Sequence, residues 1–161
     1  MEEIKTVALT LENFKDYGQV LSISKGEPMA DNVEFMYWGK VTELAMTEMV
    51  STGILVCRKR EGLIKSLERH TRTPEVLVAL EGDSLICMAK PESVVGADRI
   101  EGIQAFYVRQ GEALVMHAGT WHWVPIPVDR EESKLLVVFA SGTEAEDLEI
   151  RDLPATIKVK L

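Results

Sequence analysis

From Gly53 to the end of the chain, apolar and polar positions alternate in short runs, separated by the turn-forming pairs Glu61-Gly62, Gly82-Asp83, Gln110-Gly111 and Ser141-Gly142. A period of two marks a strand with one face turned inward. The pattern predicts strands over Gly53–Arg58, Leu63–His70, Glu75–Leu80, Ser84–Ala89, Gln104–Val108, Glu112–Met116, Lys134–Ala140 and Thr156–Lys160. Glycine turns at this close spacing join antiparallel neighbours, so the expected class is all-β, an antiparallel β-barrel or double-sheet jelly roll. The apolar stripes Val76, Val78, Leu80 and Leu135 to Phe139 are expected in its core.

The first fifty residues are more mixed. Ile4 to Leu9 reads as a strand, and Thr10 is placed to cap a helix with Glu12 and Asn13 in its first turn. Phe14 and Tyr17 lie three apart on that helix, with Gly18 positioned to end it. This short N-terminal helix is the only one expected. Ser24 to Asn32 has loop composition, and Val33 to Val41 reads as a strand. Thr42 to Ser51 fits either a helical turn or a strand and is taken as strand. No repeat, low-complexity tract or linker divides the chain, so residues 1–161 are expected to form one domain.

Composition narrows the function classes. Apolar residues make up 46% and charged residues 27%, as in ordinary globular domains, and no apolar run reaches the roughly 18 residues that span a bilayer. A net charge of −8 argues against nucleic acid. The one basic cluster is Arg58, Lys59, Arg60, Lys65, Arg69 and Arg72, read as a solvated face or, for one arginine, as a partner of an anionic substrate. The acidic start, Met1-Glu2-Glu3, lacks the pattern of a secretory signal, and Cys57 and Cys87 sit in apolar surroundings as buried hydrophobes. The expected location is the cytoplasm.

The candidate chemistry is concentrated. The three histidines, His70, His117 and His122, all fall within two stretches, Glu68 to Gly82 and Gly111 to His122. On a strand Glu68 and His70 share a face, and Glu75 opens the next strand after a turn through Pro74. Such carboxylate and imidazole donors suit a divalent metal of the Mn, Fe, Ni, Co or Zn type, a ligand set that does not fix the metal's identity. The competing reading is a hydrogen-bonded polar cluster, with His122 a buried histidine between Trp121 and Trp123.

The spacing resembles the cupin superfamily. Its first motif runs Gly, five residues, His-x-His, three or four residues, Glu, six residues, Gly; Gly62, His70, Glu75 and Gly82 match, and Glu68 stands in the place of the first His. Its second runs Gly, five residues, Pro-x-Gly, two residues, His; Gly111, Gly119 and His122 match, and His117 replaces the Pro. Within the cupins the chain is similar to the ureidoglycolate lyase (ureidoglycolate hydrolase) family through Phe14-x-x-Tyr17-Gly18-x-Val20, Leu67-Glu68-Arg69-His70 and the run from Phe106 to Trp121-His122. It departs from the family at Glu75 (usually Gln), Trp123 (a second His) and Ala140-Ser141-Gly142 (Asp-Arg-Gly).

The resemblance implies a cupin-type double-stranded jelly roll that cleaves the C–N bond of ureidoglycolate to glyoxylate and urea in purine and allantoin breakdown. It further implies a metal held by His70, Glu75, His122 and Glu68, with Glu68 also a candidate base and His117 a proton shuttle, acting on a small carboxylate substrate. The alternatives are another metal-dependent cupin enzyme, such as an isomerase or dioxygenase of a small hydroxy or keto acid, and a non-catalytic small-ligand-binding cupin. Exposed strand edges predict a homodimer.

Overall fold

A computed structural model describes residues 2–22, 27–39, 41–46, 49–96, 99–100 and 102–160. The first half of the chain forms β1 (Glu2–Ala8), α1 (Leu11–Phe14), β2 (Gly18–Leu21), β3 (Ala30–Asp31), β4 (Met36–Tyr37), β5 (Val50–Arg58), β6 (Leu63–Arg69) and β7 (Glu75–Glu81). The second forms β8 (Ser84–Ala89), β9 (Val95–Gly96), β10 (Arg99–Ile100), β11 (Gln104–Val108), β12 (Ala113–Met116), β13 (Trp121–His122), β14 (Ile126–Pro127), β15 (Glu132–Ala140), α2 (Thr143–Glu146) and β16 (Glu149–Lys160).

One sheet has the order β11-β1-β16-β6-β13-β8-β14, and the pairing of β11 with β8 closes it on itself. The other has the order β2-β12-β7-β15-β5. Between the two lies the larger core, built on Phe14, Leu77, Met88, Phe106, Leu114 and Leu135. Every residue of β8 is buried: Ile86 and Met88 join this core, while Leu85, Cys87 and Ala89 join a second one with Ile64, Leu67, Trp121 and Ile157. A strand covered on both faces needs an unbroken apolar run, which Ser84 to Ala89 supplies.

The all-β expectation holds, with corrections. β1 pairs in parallel with both β11 and β16, so the barrel is not wholly antiparallel. A second one-turn helix, α2, follows Gly142, whose φ of 85° turns the chain out of β15. β16 starts at Glu149 rather than Thr156; Pro154 hides its first half, and the ladder to β6 breaks between Asp152 and Ile157, where a residue without an N–H is tolerated. Among the described residues of Val33 to Val41, only Met36–Tyr37 pairs, because Asn32 accepts the N–H groups of Glu34 and Phe35 and turns the chain early. Residues 41–46 carry no strand and β5 begins at Val50; residues 23–26, 40, 47 and 48 of those predicted segments lie outside the described ones.

Two inward-facing assignments also change. Glu75, Leu77 and Ala79 face in, so Val76 and Val78 are half-buried and Leu80 is exposed, the reverse of the expected core stripe. Thr10 caps α1 reciprocally with Asn13 as expected, but the helix is a single turn ending at Phe14. Gly18 instead opens β2, where a Cβ would stand 1.8 Å from the Val115 carbonyl oxygen. Its role is close strand approach rather than helix termination.

Candidate metal centre and its cavity

The two sequence motifs meet at one end of the sandwich. Glu68 on β6 lies opposite His122 on β13, and because side chains alternate along a strand, Leu67 and Trp121 point to the second core while Glu68 and His122 point to a cavity. His70 follows the end of β6, and Glu75 opens β7. Gly119, with φ of 85°, takes a left-handed turn that lets its N–H donate to the His70 carbonyl, tying one motif to the other.

Each imidazole is held by main chain. His70 Nδ1 lies 3.0 Å from the Asp147 carbonyl oxygen, and His122 Nδ1 lies 2.9 Å from that of Thr120. A carbonyl only accepts, so both Nδ1 atoms carry a proton and both Nε2 atoms are left to face the cavity. Those Nε2 atoms lie 3.5 Å and 3.4 Å from the same atom, Glu75 Oε2, and that buried oxygen has no hydrogen-bond partner. At such distances the pairs are electrostatic contacts rather than hydrogen bonds. The donor atoms of Glu68, His70 and His122 lie within 4.8 Å of one another, with Glu68 Oε1 3.8 Å from His122 Nε2.

Two nitrogen lone pairs and a buried carboxylate oxygen directed at one point repel each other unless a cation stands among them. His122 shows the effect: burial pulls its pKa down, but Glu75, the Thr120 carbonyl and Glu68 together hold it above the ordinary value. The donor set of Glu68, His70 and His122 therefore fits a divalent metal, with Nδ1–H anchoring of the kind that orients metal-ligating histidines. Among the described residues the other buried side-chain atom without a partner is Trp121 Nε1, on the opposite face of the sheet.

The cavity has a volume of about 300 Å³. Its walls are Ile54, Leu55, Leu77, Ile86, Val124, Val137, Phe139 and Leu148, with Trp123 beside them. Among the described residues Glu68, His70, Glu75, His122 and Glu144 are its ionisable groups, and none of the described lysines and arginines lines it. The expected arginine partner for an anion is therefore not found there. Arg58 and Lys59 pair with Glu132 and Glu131, Arg69 pairs with Glu149 and stacks over Trp121, and Arg72 pairs with Glu146. Arg60 donates to the carbonyls of Val124 and Pro125, bracing the strap that forms one wall.

His117 is the one candidate that does not face this cavity. Met116 turns inward, so the next residue turns out, and His117 is exposed on the turn after β12. It borders only a small separate crevice that His70, Glu75 and His122 also touch.

A family model described as ureidoglycolate lyase matches residues 1–160. The chain belongs to the ureidoglycolate lyase family. A comparison with curated proteins finds no match. Among solved structures, vicilin from Corylus avellana (hazelnut) is 17% identical, with a TM-score of 0.44 over 63% of this chain and 26% of that one. Vicilin from Solanum melongena is 18% identical, at 0.45 over 65% and 26%. Oxalate decarboxylase from Bacillus subtilis is 13% identical, at 0.42 over 70% and 24%. The chain thus spans about a quarter of the length of these solved chains, and likenesses of this degree say nothing about its substrate.

Sequence reasoning in this family member missed the groups that orient the site. The carbonyls of Thr120 and Asp147 act through the main chain, which no side-chain pattern reveals. Glu144 and Leu148 were missed with α2 and the start of β16, the elements that bring them to the cavity.

Proposed function

We propose that the protein cleaves ureidoglycolate to glyoxylate and urea with the help of a divalent metal held by His70, Glu75 and His122. The observation that carries this reading is the convergence of two Nε2 atoms on the partnerless Glu75 Oε2, in a chain of the ureidoglycolate lyase family. A divalent ion held by these residues would supply positive charge for the substrate carboxylate and would lower the pKa of its hydroxyl. Glu68, the most exposed of the four donors at 21%, takes the hydroxyl proton. As the C–N bond breaks the hydroxyl carbon becomes the aldehyde of glyoxylate, and the departing nitrogen needs one proton to become urea. The proton held by Glu68 balances that need, so no second acid is required. The apolar walls exclude water from the site, and the two carbonyl-anchored rings keep Nε2 available.

The same reading places the chain, as a single domain over residues 1–161, in allantoin catabolism in the cytoplasm, where free thiols such as Cys57 and Cys87 persist; burial pushes the Cys87 thiol up to about 12. It also includes a homodimer, supported by the unpaired outer edge of β5 and its exposed Val50, Ile54 and Val56. The test is release of urea and glyoxylate from ureidoglycolate by protein loaded separately with Mn, Ni, Co, Fe and Zn. Turnover with one of them supports the lyase, and no release with any of them rejects it. Light scattering tests the dimer.

A further inference from the structure

We infer that the cavity also takes 2-hydroxy and 2-oxo acids bearing an apolar substituent, with an affinity that grows with the apolar bulk. This rests on the metal-centre part of the reading above and extends it to a second class of ligand. The polar groups of the cavity are segregated: Glu68, His70, Glu75 and His122 form one cluster, whose metal would hold a carboxylate and the adjacent oxygen. The rest of the wall is Leu77, Ile86, Val124, Val137 and Phe139, with Ile54 and Leu148 at more exposed positions. Among the described residues Glu144, on α2, is the single charged side chain of the lining outside the cluster.

Polar groups buried against these aliphatic side chains and left unpaired cost free energy. An alkyl or aryl substituent in the same place has no such cost and removes wall surface from water. About 300 Å³ lies at the lower end for small-molecule sites, enough for a chelated acid with a branched alkyl or phenyl group. With no lysine or arginine in the lining among the described residues, recognition of the acid end falls to the metal and discrimination at the other end falls to the apolar wall.

The experiment uses the full chain loaded with Mn(II), its metal content measured on the same sample, and calorimetric titration with glycolate, lactate, 4-methyl-2-hydroxypentanoate and 3-phenyllactate. The expected result is a dissociation constant that falls about fourfold for each methylene group buried. Leu148→Ser, at a position already 43% exposed, should weaken the two larger acids several-fold and leave glycolate unchanged. Equal affinities along the series, or no binding of the larger acids, overturns the proposal. If metal is retained in that case, the metal centre survives the failure. If the protein holds no metal and the larger acids still bind more tightly than glycolate, the apolar site stands and the metal centre falls.

Discussion

Asp147 holds His70 from two directions: its carbonyl oxygen lies 3.0 Å from His70 Nδ1, and its carboxylate accepts from Thr71 N, Thr71 Oγ1 and Arg72 N at 3.0, 2.8 and 2.7 Å. Burial pushes the Asp147 carboxyl up, but those amides, the hydroxyl and the Arg72 charge hold it below the usual range. The residue thus fixes both the ring and the loop that follows it. We expect Asp147→Ala to weaken metal binding by about tenfold or more, with a loss of about 1–2 kcal/mol of stability from the missing hydrogen bonds. Competition titration with a chelator and chemical denaturation would measure the two. Unchanged metal affinity would show that the carboxylate does not position His70.

Removing a converging donor should empty the centre. His70→Ala, His122→Ala and Glu75→Gln are each expected to lose metal that the wild type retains near stoichiometrically, while circular dichroism shows the same β signal. Elemental analysis after gel filtration decides this. Wild type that holds none of Mn, Fe, Co, Ni or Zn would return the cluster to a hydrogen-bonded pocket.

Glu68 and His117 should separate cleanly. Glu68 faces the cavity and His117 does not, so Glu68→Gln is expected to lower kcat by about 10²–10⁴ and His117→Ala to change it by less than about threefold. Steady-state release of urea reports both. A large loss in the His117 variant would restore that residue to the mechanism.

In metal-stripped protein the proton on His122 is the cation that relieves the cluster. Its folded pKa is raised above the unfolded value of about 6.5, so this stabilisation is fully present below that value and is lost as pH rises through the folded pKa. Thermal denaturation of stripped protein should therefore show falling stability on the alkaline side, recovered by adding metal. His122→Gln should flatten that slope. A slope unchanged in the variant would assign it to other groups.

Gly18→Ala tests the close approach of β2 to β12. The added methyl would stand 1.8 Å from the Val115 oxygen and 2.8 Å from its carbonyl carbon, both main-chain atoms that cannot rotate away. A loss on the order of 3 kcal/mol is expected in urea denaturation. A loss under about 0.5 kcal/mol would mean that the strands separate at little cost.

Much of this protein is legible in its sequence because the signals are local. Period-two alternation places the strands from Gly53 to Ala89 and from Gln104 to Ala140, and the spacing of Glu68, His70, Glu75 and His122 singles them out as candidate donors before any fold is known. What fails has a non-local cause. The first half of β16 contains Pro154 and is recruited only because β6 lies alongside it, and β1 is parallel because its neighbours, β11 and β16, come from distant parts of the chain. The inward face of β7 is set by Glu75, which the cluster claims, so Val76 and Val78 turn outward although their hydrophobicity suggests the core. His117 carries the right chemistry at a family spacing, and the turn after β12 sets it on the small crevice that it shares with His70, Glu75 and His122 rather than on the main cavity. The sequence by itself determined the chemistry of the donors and the class of fold, because both depend on residue type and short-range period. The tertiary structure alone decided which nitrogen of each imidazole is free and that the cavity wall is largely apolar, because these depend on the carbonyls of Thr120 and Asp147 and on side chains gathered from separate strands.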